Sequence, residues 1–261
     1  AYAEREIVLR PNVPPALQAK AQEELRGYYA HIAALDDAFA IVRDAIDAAG
    51  IAEDTIFIFA ADHGDMRQSQ GLDTKLFPWD ESVRVPFLLR WPKLADLMGQ
   101  ETSLPIDGPD VMPTLLGLCD LPVPESVEGR DWSPFIRGEH KPTGEEAAFL
   151  NMPAEFTELL YNGMKAYRGL RTSRYTYVRT SDGPWLLYDN VSDPYQMDNL
   201  IDRPEHAELQ ATLEARLQQR LDDLGDEFLD GWTYIERAGL THYKEVNASQ
   251  RRQWSDPFST N

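Results

Sequence analysis

The chain has 261 residues, and 25 Lys and Arg residues stand against 44 Asp and Glu residues, giving a formal net charge of -19 at pH 7. Hydrophobic residues make up 43% of the sequence, as in a folded globular protein with a sizeable core. The acidic balance argues against nucleic acid as the main partner, because phosphate backbones are bound by basic surfaces. No apolar run reaches the ~18–20 residues of a membrane span. The single cysteine, Cys119, excludes an intrachain disulfide and a multi-thiolate zinc site.

The first half of the chain has the pattern of an α/β protein. Apolar residues at helical spacing predict a long helix over residues 17–49. These residues are Tyr28, Ile32, Leu35, Phe39, Val42 and Ile46. A continuous apolar run at 55–59 predicts a central parallel strand covered on both faces. Residues 85–91 predict a second buried strand and residues 109–118 a shorter helix. Ligands of such sheets bind at the carboxyl ends of the strands, so the polar segment after residue 59 is a candidate site.

The second half has a different pattern, which predicts a small antiparallel sheet and one amphipathic helix. The strand candidates are residues 147–151, 167–171, 175–179 and 185–188, and the helix candidate is residues 205–224. The sequence therefore predicts two regions, an α/β core portion at 1–143 and an α+β subdomain with a tail at 144–261.

The densest group of polar residues after a predicted strand is Asp62-His63-Gly64-Asp65. A carboxylate and an imidazole can turn onto one ion where the backbone leaves a strand, and the glycine permits that turn. Oxygen and nitrogen donors suit Ca²⁺, Mn²⁺ or Zn²⁺. Two or three ligands do not complete a calcium site, so others must come from elsewhere. The alternative is a capped loop with a solvent-exposed histidine.

Lys75 lies thirteen residues after Asp62 in the sequence. A lysine in a loop is usually a solvated surface charge. With a metal nearby, however, it can hold an anionic ester oxygen and stabilise charge that develops on a leaving group.

The order of these motifs resembles the second half of a sulfatase catalytic domain, in the alkaline-phosphatase superfamily. The matching segments are residues 28–36, 55–66 and 81–86, together with Lys75, and later 107–116 and 187–200. The resemblance implies an alkaline-phosphatase-like α/β sandwich, of which this chain holds the second half, followed by a small α+β subdomain with an antiparallel sheet. The superfamily also contains phosphonate monoester hydrolases and phosphodiesterases.

Carried over to this sequence, the resemblance makes Asp62 and His63 metal ligands, with Ca²⁺ as the expected ion and Mn²⁺ as the alternative. It makes Lys75 a contact to the sulfate or phosphonate oxygens. Glu81 and Arg84 are expected to be structural and to fix the following strand, although Arg84 could be an active-site cation instead. Asp65 is expected to cap its loop.

The chain departs from the sulfatase pattern at the nucleophile. Sulfatases carry a Cys or Ser in a Cys-x-Pro-x-Arg pattern, which is oxidised to formylglycine. Here Cys119 is followed by Asp120-Leu121-Pro122-Val123, so it does not match and is predicted to be a buried core thiol. The paired acidic ligands and the upstream catalytic histidine are also absent, and Gln70 stands where many members have a second histidine. We therefore expect formylglycine only in a missing N-terminal half.

These observations predict the C-terminal portion of a metal-assisted sulfate ester hydrolase, inactive alone, acting on a sulfated small molecule or glycan. The alternatives are a phosphonate monoester hydrolase or phosphodiesterase, or a non-catalytic truncated module. The sequence leaves the exact substrate, the compartment and the oligomeric state open.

Overall fold

The computed structural model describes residues 5–97, 99–155, 159 and 161–241. The α-helices in this part of the chain are α1 (Gln18–Ala48), α2 (Asp80–Val83), α3 (Val111–Leu118), α4 (Ser133–Ile136), α5 (Ala207–Leu224) and α6 (Gly231–Arg237), and the strands are β1 (Phe57–Ala60), β2 (Phe87–Arg90), β3 (Ala147–Met152), β4 (Tyr167–Thr172), β5 (Tyr175–Thr180) and β6 (Gly183–Asp189). None of the described helices has the length and apolar character that a membrane crossing requires. The end of the predicted 144–261 region lies outside the described residues, and the division at residue 143 stays a prediction.

The long helix α1 forms where the apolar spacing predicts it, but most of its apolar stripe is exposed. Ala21 is the buried residue of this helix, whereas Ile32, Leu35 and Val42 face solvent. Phe39 contacts β1, because its ring packs edge-on against Phe59 at a centroid distance of 4.6 Å. The spacing therefore predicts the helix correctly, and it does not show what covers each part of the stripe.

The prediction of a central parallel strand is wrong. Strand β1 pairs antiparallel with β2, with Phe57 opposite Arg90, and both strands are only half-buried or exposed along their length. A continuous apolar run indicates burial and carries no information on the direction of the neighbouring strand. A parallel pair needs a crossover of a dozen or more residues, usually helical. Here residues 61–86 form a loop that contains only a 3₁₀ turn at Ser69–Gly71 and the single turn of α2.

Strands β3 to β6 form the predicted antiparallel sheet, in the order β3-β4-β5-β6. Alternate residues point to opposite faces of the sheet, and each face has its own apolar partner. One face packs against α5, whose buried residues are Leu213, Leu217 and Leu221. The other face packs against the loop between β1 and β2, through Met66, Leu72, Phe77 and Trp79.

The side chain of Cys119 is exposed, which contradicts the prediction of a buried core thiol. Helix α3 ends at Leu118, which is fully buried, and Cys119 is its C-terminal capping residue. The chain turns away immediately afterwards, since Asp120 has a φ of 56°. Helical spacing places Cys119 next to the core only if the helix continues, and it does not.

Candidate active site

The segment Asp62-His63-Gly64-Asp65 follows the end of β1 and lies directly against the backbone of residues 81 and 82. The amide of Gly64 donates to the carbonyl oxygen of Ser82 at 2.7 Å, and the amide of Asp65 donates to that of Glu81 at 2.8 Å. A Cβ atom on Gly64 would lie 2.0 Å from the Glu81 carbonyl oxygen. A glycine is therefore required here by the close approach of two backbone segments.

Asp62 and His63 present their side chains to solvent next to each other. The Asp62 side chain is 88% exposed and that of His63 is 42% exposed, with His63 Nε2 lying 3.6 Å from Asp62 Oδ2. Asp62 Oδ1 accepts a hydrogen bond from the amide of His63 at 2.9 Å. His63 Nδ1 lies 2.7 Å from the carbonyl oxygen of Gly64, which favours the tautomer with the proton on Nδ1. One carboxylate oxygen and the Nε2 lone pair therefore remain available on the same side.

The carboxylate oxygen of Asp62 and the imidazole nitrogen of His63 are ligand types that bind divalent cations such as Ca²⁺ and Mn²⁺. A backbone partner on the other ring nitrogen is the usual support of a ligating histidine. Within the described ranges, no group of three or more His, Cys, Asp and Glu side chains is arranged to hold a metal. Asp62 and His63 would therefore supply only part of a coordination shell.

Asp65 caps its loop, as predicted. Its Oδ1 accepts a hydrogen bond from the amide of Arg67 at 3.1 Å, and its Oδ2 lies 2.9 Å from the Arg67 guanidinium. Burial raises the pKa of the Asp65 carboxyl, and the hydrogen bond and charge of Arg67 oppose that shift. The carboxylate is thus already satisfied within the loop.

Lys75 lies on the same loop and is half-buried. The amide of Met66 donates to the carbonyl oxygen of Thr74 at 2.7 Å, so the segment after Asp65 is bonded to the residue that precedes Lys75. Among the described residues, Lys75 forms no ion pair, and no hydrogen bond joins it to Asp62 or His63. A half-buried lysine without a carboxylate partner is able to bind an anionic ligand.

The loop that carries Lys75 has an unusual backbone conformation. Non-glycine residues with positive φ are uncommon, and this loop has five, namely Arg67, Gln68, Gln70, Thr74 and Leu76. Two of them flank Lys75, with φ values of 64° and 81°. Such conformations persist only where the surrounding contacts hold them, and they cluster at functional sites.

Contacts from α1 hold one side of this loop. The side-chain amide of Gln68 donates to Glu24 Oε2 at 2.9 Å, and the Arg67 guanidinium lies 4.8 Å from the centre of the Tyr28 ring. Lys20, also on α1, lies 3.4 Å from Asp73. The N-terminal half of α1 thus positions the loop even though much of the helix is exposed.

Glu81 is structural, as predicted, but the contacts of its carboxylate are with the N-terminal segment and not with the strand that follows. Its Oε1 accepts from Asn12 Nδ2 and pairs with Arg10, both at 2.8 Å. The Arg84 side chain is exposed and lies 4.0 Å from Asp80, and among the described residues it forms no ion pair or side-chain hydrogen bond with the strand that follows.

The sequence reasoning missed Asn12, Gln196 and Arg171, which hold the loop from distant parts of the chain. Arg171 on β4 binds both carboxylate oxygens of Asp80, at 2.8 and 2.9 Å.

Cavities of about 380 Å³ and 250 Å³ lie near the face of the sheet that packs against α5, and neither is lined by Asp62, His63 or Lys75.

Two family models match the chain. Residues 69–223 match the one described as N-sulphoglucosamine sulphohydrolase, C-terminal, and residues 5–121 match the one described as Sulfatase. An ulvan-active sulfatase from Formosa agariphila is 40% identical over 238 residues, which cover 90% of this chain and 46% of the relative. An endo-4-O-sulfatase from Bacteroides thetaiotaomicron is 35% identical over 208 residues, which cover 74% of this chain and 40% of the relative.

Solved structures give the same result for the fold. A structure from work on glycosaminoglycan metabolism by Bacteroides thetaiotaomicron superposes with a TM-score of 0.75 at 29% identity, over 92% of this chain and 51% of that one. The phosphonate monoester hydrolase of Agrobacterium radiobacter superposes with a TM-score of 0.65 at 26% identity, over 80% of this chain and 42% of that one. The fold therefore belongs to the alkaline-phosphatase-like class of α/β folds.

Within that class, the chain belongs to the sulfatase family, as the order of its motifs predicted. It spans about half the length of the curated relatives that it matches.

Proposed function

We propose that this chain is the C-terminal portion of an enzyme that hydrolyses sulfate esters, with a sulfated small molecule or glycan as substrate. The observation that carries the proposal is Lys75, a half-buried lysine without an ion-pair partner among the described residues. The residue before it, Thr74, is bonded to Met66, which directly follows the Asp62–Asp65 segment. In a member of the sulfatase family, this arrangement is suited to a substrate bearing a compact anion.

The two parts of the site have different roles in this proposal. Asp62 and His63 supply an oxygen and a nitrogen ligand to a divalent cation, for which Ca²⁺ is the first candidate and Mn²⁺ the second. A cation bound there would polarise the ester oxygens as a Lewis acid. Lys75 binds the non-bridging oxygens of the ester and stabilises the charge that develops in the transition state.

The nucleophile is not among these residues. Cys119 lies in a sequence that does not match the formylglycine pattern, and it caps α3, a helix that none of the contacts described above links to Asp62, His63 or Lys75. We therefore expect no turnover of a sulfate ester by these 261 residues alone. Metal-dependent hydrolysis by the isolated chain would contradict this part of the proposal.

The role of Lys75 is tested in the complete natural polypeptide with an aryl sulfate as substrate. Lys75→Ala is expected to lower kcat/KM by roughly 100- to 1,000-fold, the usual cost of losing one donor that stabilises transition-state charge. Lys141→Ala, which changes an exposed lysine outside the loop, is the matched control. Equal rates for the two variants would refute the assignment.

The metal ligands are tested by calorimetric titration of the same polypeptide with calcium chloride. Asp62→Ala and His63→Ala are each expected to weaken calcium binding, while Asp37→Ala, which removes an exposed carboxylate on α1, is expected to leave it unchanged. Unchanged affinity in the Asp62 and His63 variants would show that the ion binds elsewhere.

A second candidate is a phosphonate monoester hydrolase, and the fold similarity to the Agrobacterium radiobacter enzyme favours keeping it. Sulfate and phosphonate esters present similar oxygens to a lysine and a metal, so the residues above serve either substrate. The ratio of kcat/KM for an aryl sulfate to that for an aryl phosphonate separates the two. The intact mass of the native polypeptide tests the remaining alternative, a non-catalytic module of 29.7 kDa.

A further inference from the structure

We propose that Gln70 and Gln196 are positioning residues, which hold the Lys75 loop on both sides and so set the place of the Lys75 ammonium. The proposal deepens the function proposed above, since it rests on Lys75 as the group that binds the ester oxygens. We refer to Gln70, Tyr195, Gln196 and Asp80 as the glutamine clamp.

The first half of the clamp holds the loop five residues before Lys75. The side-chain amide of Gln70 donates to two consecutive carbonyl oxygens, that of Tyr195 at 3.1 Å and that of Gln196 at 2.9 Å. The same residue has a φ of 56°, a conformation that needs support from its surroundings. One side chain therefore fixes an unfavourable turn to a segment 125 residues away.

The second half holds the loop five residues after Lys75. The amide of Asp80 donates to Gln196 Oε1 at 2.8 Å. The Gln196 side chain is fully buried, and its Nε2 donates to Thr176 Oγ1 and Asn190 Oδ1. Gln196 thus connects the start of α2 to the antiparallel sheet. Both hydrogens of its side-chain amide are donated, to Thr176 and to Asn190.

The N-terminal segment closes the arrangement. The amide of Gln70 donates to the carbonyl oxygen of Asn12 at 2.9 Å, and Asn12 Nδ2 donates to the Tyr195 carbonyl oxygen at 3.0 Å. Asn12 is buried and also binds Glu81. The N-terminal segment and the loop that carries Gln70, which are distant in sequence, therefore both donate to one acceptor, the carbonyl oxygen of Tyr195.

The clamp has a consequence for Lys75 because a lysine has a long, flexible side chain. No carboxylate within the described residues holds its ammonium, so the position of that group depends on the loop backbone. The backbone is fixed at residues 70 and 80 by the clamp and is left-handed at the two residues beside Lys75. Displacement of a positioned group by about 1 Å can cost roughly 100-fold in rate.

The test uses the complete natural polypeptide with Gln70→Ala, Gln70→Glu and, as the matched control, Gln219→Ala. Gln219 is exposed on α5, and within the described part of the chain its side chain bonds Asp223 on the same helix. Gln70→Glu keeps the size of the side chain but places a carboxylate against two carbonyl oxygens, so it tests the clamp if the alanine variant does not fold. Each Gln70 variant is expected to lower kcat/KM for an aryl sulfate about 10- to 100-fold, and the control is expected to leave it unchanged.

A double-mutant cycle with Lys75→Ala separates positioning from general damage. If Gln70 acts through Lys75, the Gln70 substitution causes no further loss in the Lys75→Ala background. An equal loss in both backgrounds, or no loss in either, would overturn the proposal.

Hydrogen exchange of the amides at residues 66–76 gives a readout that does not depend on turnover. Faster exchange in the Gln70 variants and not in Gln219→Ala supports the clamp, and unchanged exchange overturns it. If the wild-type polypeptide hydrolyses no sulfate ester, the proposed function fails while the clamp is still decided by exchange.

Discussion

Replacing Gly64 by alanine is expected to destabilise the protein more than any exposed glycine-to-alanine change. The new Cβ would lie 2.0 Å from the Glu81 carbonyl oxygen and 2.9 Å from its carbonyl carbon. Both contacts are to backbone, which cannot rotate away as a flexible side chain can. The segment of Gly64 must therefore separate from that of Glu81 and Ser82.

The size of the effect follows from what that separation breaks. The hydrogen bonds from Gly64 to Ser82 and from Asp65 to Glu81 are 2.7 and 2.8 Å long, and they lengthen together when the segments move. Each is worth about 0.5–1.5 kcal/mol net, and overpacking of a close contact costs about 1–3 kcal/mol. We therefore expect the free energy of unfolding to fall by about 2–6 kcal/mol.

The measurement is urea-induced unfolding of the complete natural polypeptide, with Gly27→Ala as the control. A Cβ at Gly27, within α1, meets nothing within 4 Å, and alanine is preferred over glycine in a helix by up to about 1 kcal/mol. The control is thus expected to be slightly more stable than wild type. A Gly64→Ala variant as stable as the control would refute the close approach of the two segments.

Two further changes test the subdomain. The Arg168 side chain is 1% exposed and pairs with Asp226, so Arg168→Met leaves a carboxylate without its partner and is expected to cost about 3–5 kcal/mol in urea unfolding. Hydrogen bonds from Thr143 and Gly144 lower the pKa of Glu146 from 4.5 to about 2. Its carboxylate therefore stabilises the fold above pH 4.5 and loses that effect as the pH falls towards 2. Glu146→Gln is expected to cost about 1–3 kcal/mol at pH 7, and the difference should vanish near pH 2.

Each of these changes has a control nearby. Arg237→Met removes an exposed ion pair with Glu227 and is expected to cost less than about 1 kcal/mol. Glu145→Gln changes an exposed neighbour of Glu146 and is the control for the loss of that neighbouring carboxylate. A cost for Arg168→Met as small as that for Arg237→Met would show that the buried pair is not needed. If the cost of Glu146→Gln does not change with pH, the negative charge of Glu146 does not stabilise the fold.

Local patterns in the sequence predict most of the elements. The apolar spacing of α1 and the short alternating runs of β3 to β6 depend on neighbouring residues, and the structure confirms them. The pairing of β1 with β2 depends on the path of residues 61–86, which no local pattern encodes. That is why a parallel strand is predicted where an antiparallel one forms.

The candidate site, like the fold, is predictable from the sequence only where local patterns define it. Asp62, His63 and Lys75 stand out because their residue types and spacing carry chemistry. The role of the residues that hold their loop does not stand out, since Gln70 is notable in the sequence only for standing in place of a histidine and lies 126 positions from Gln196. Only the folded chain brings a glutamine amide to the carbonyls of Tyr195 and Gln196, and only the folded chain shows the left-handed turns beside Lys75.

The exposed stripe on α1 has a consequence for the colloidal behaviour of these 261 residues. A 31-residue helix is about 46 Å long, and its exposed Ile32, Leu35 and Val42 form a row along it. A net charge of -19 keeps copies apart in dilute buffer, where the range of repulsion is about 30 Å at 0.01 M salt. At 1 M salt that range falls to about 3 Å, which is shorter than the side chains themselves. Ionic strength therefore determines whether charge repulsion prevents these apolar rows from associating. Low-salt buffers favour the monodisperse chain.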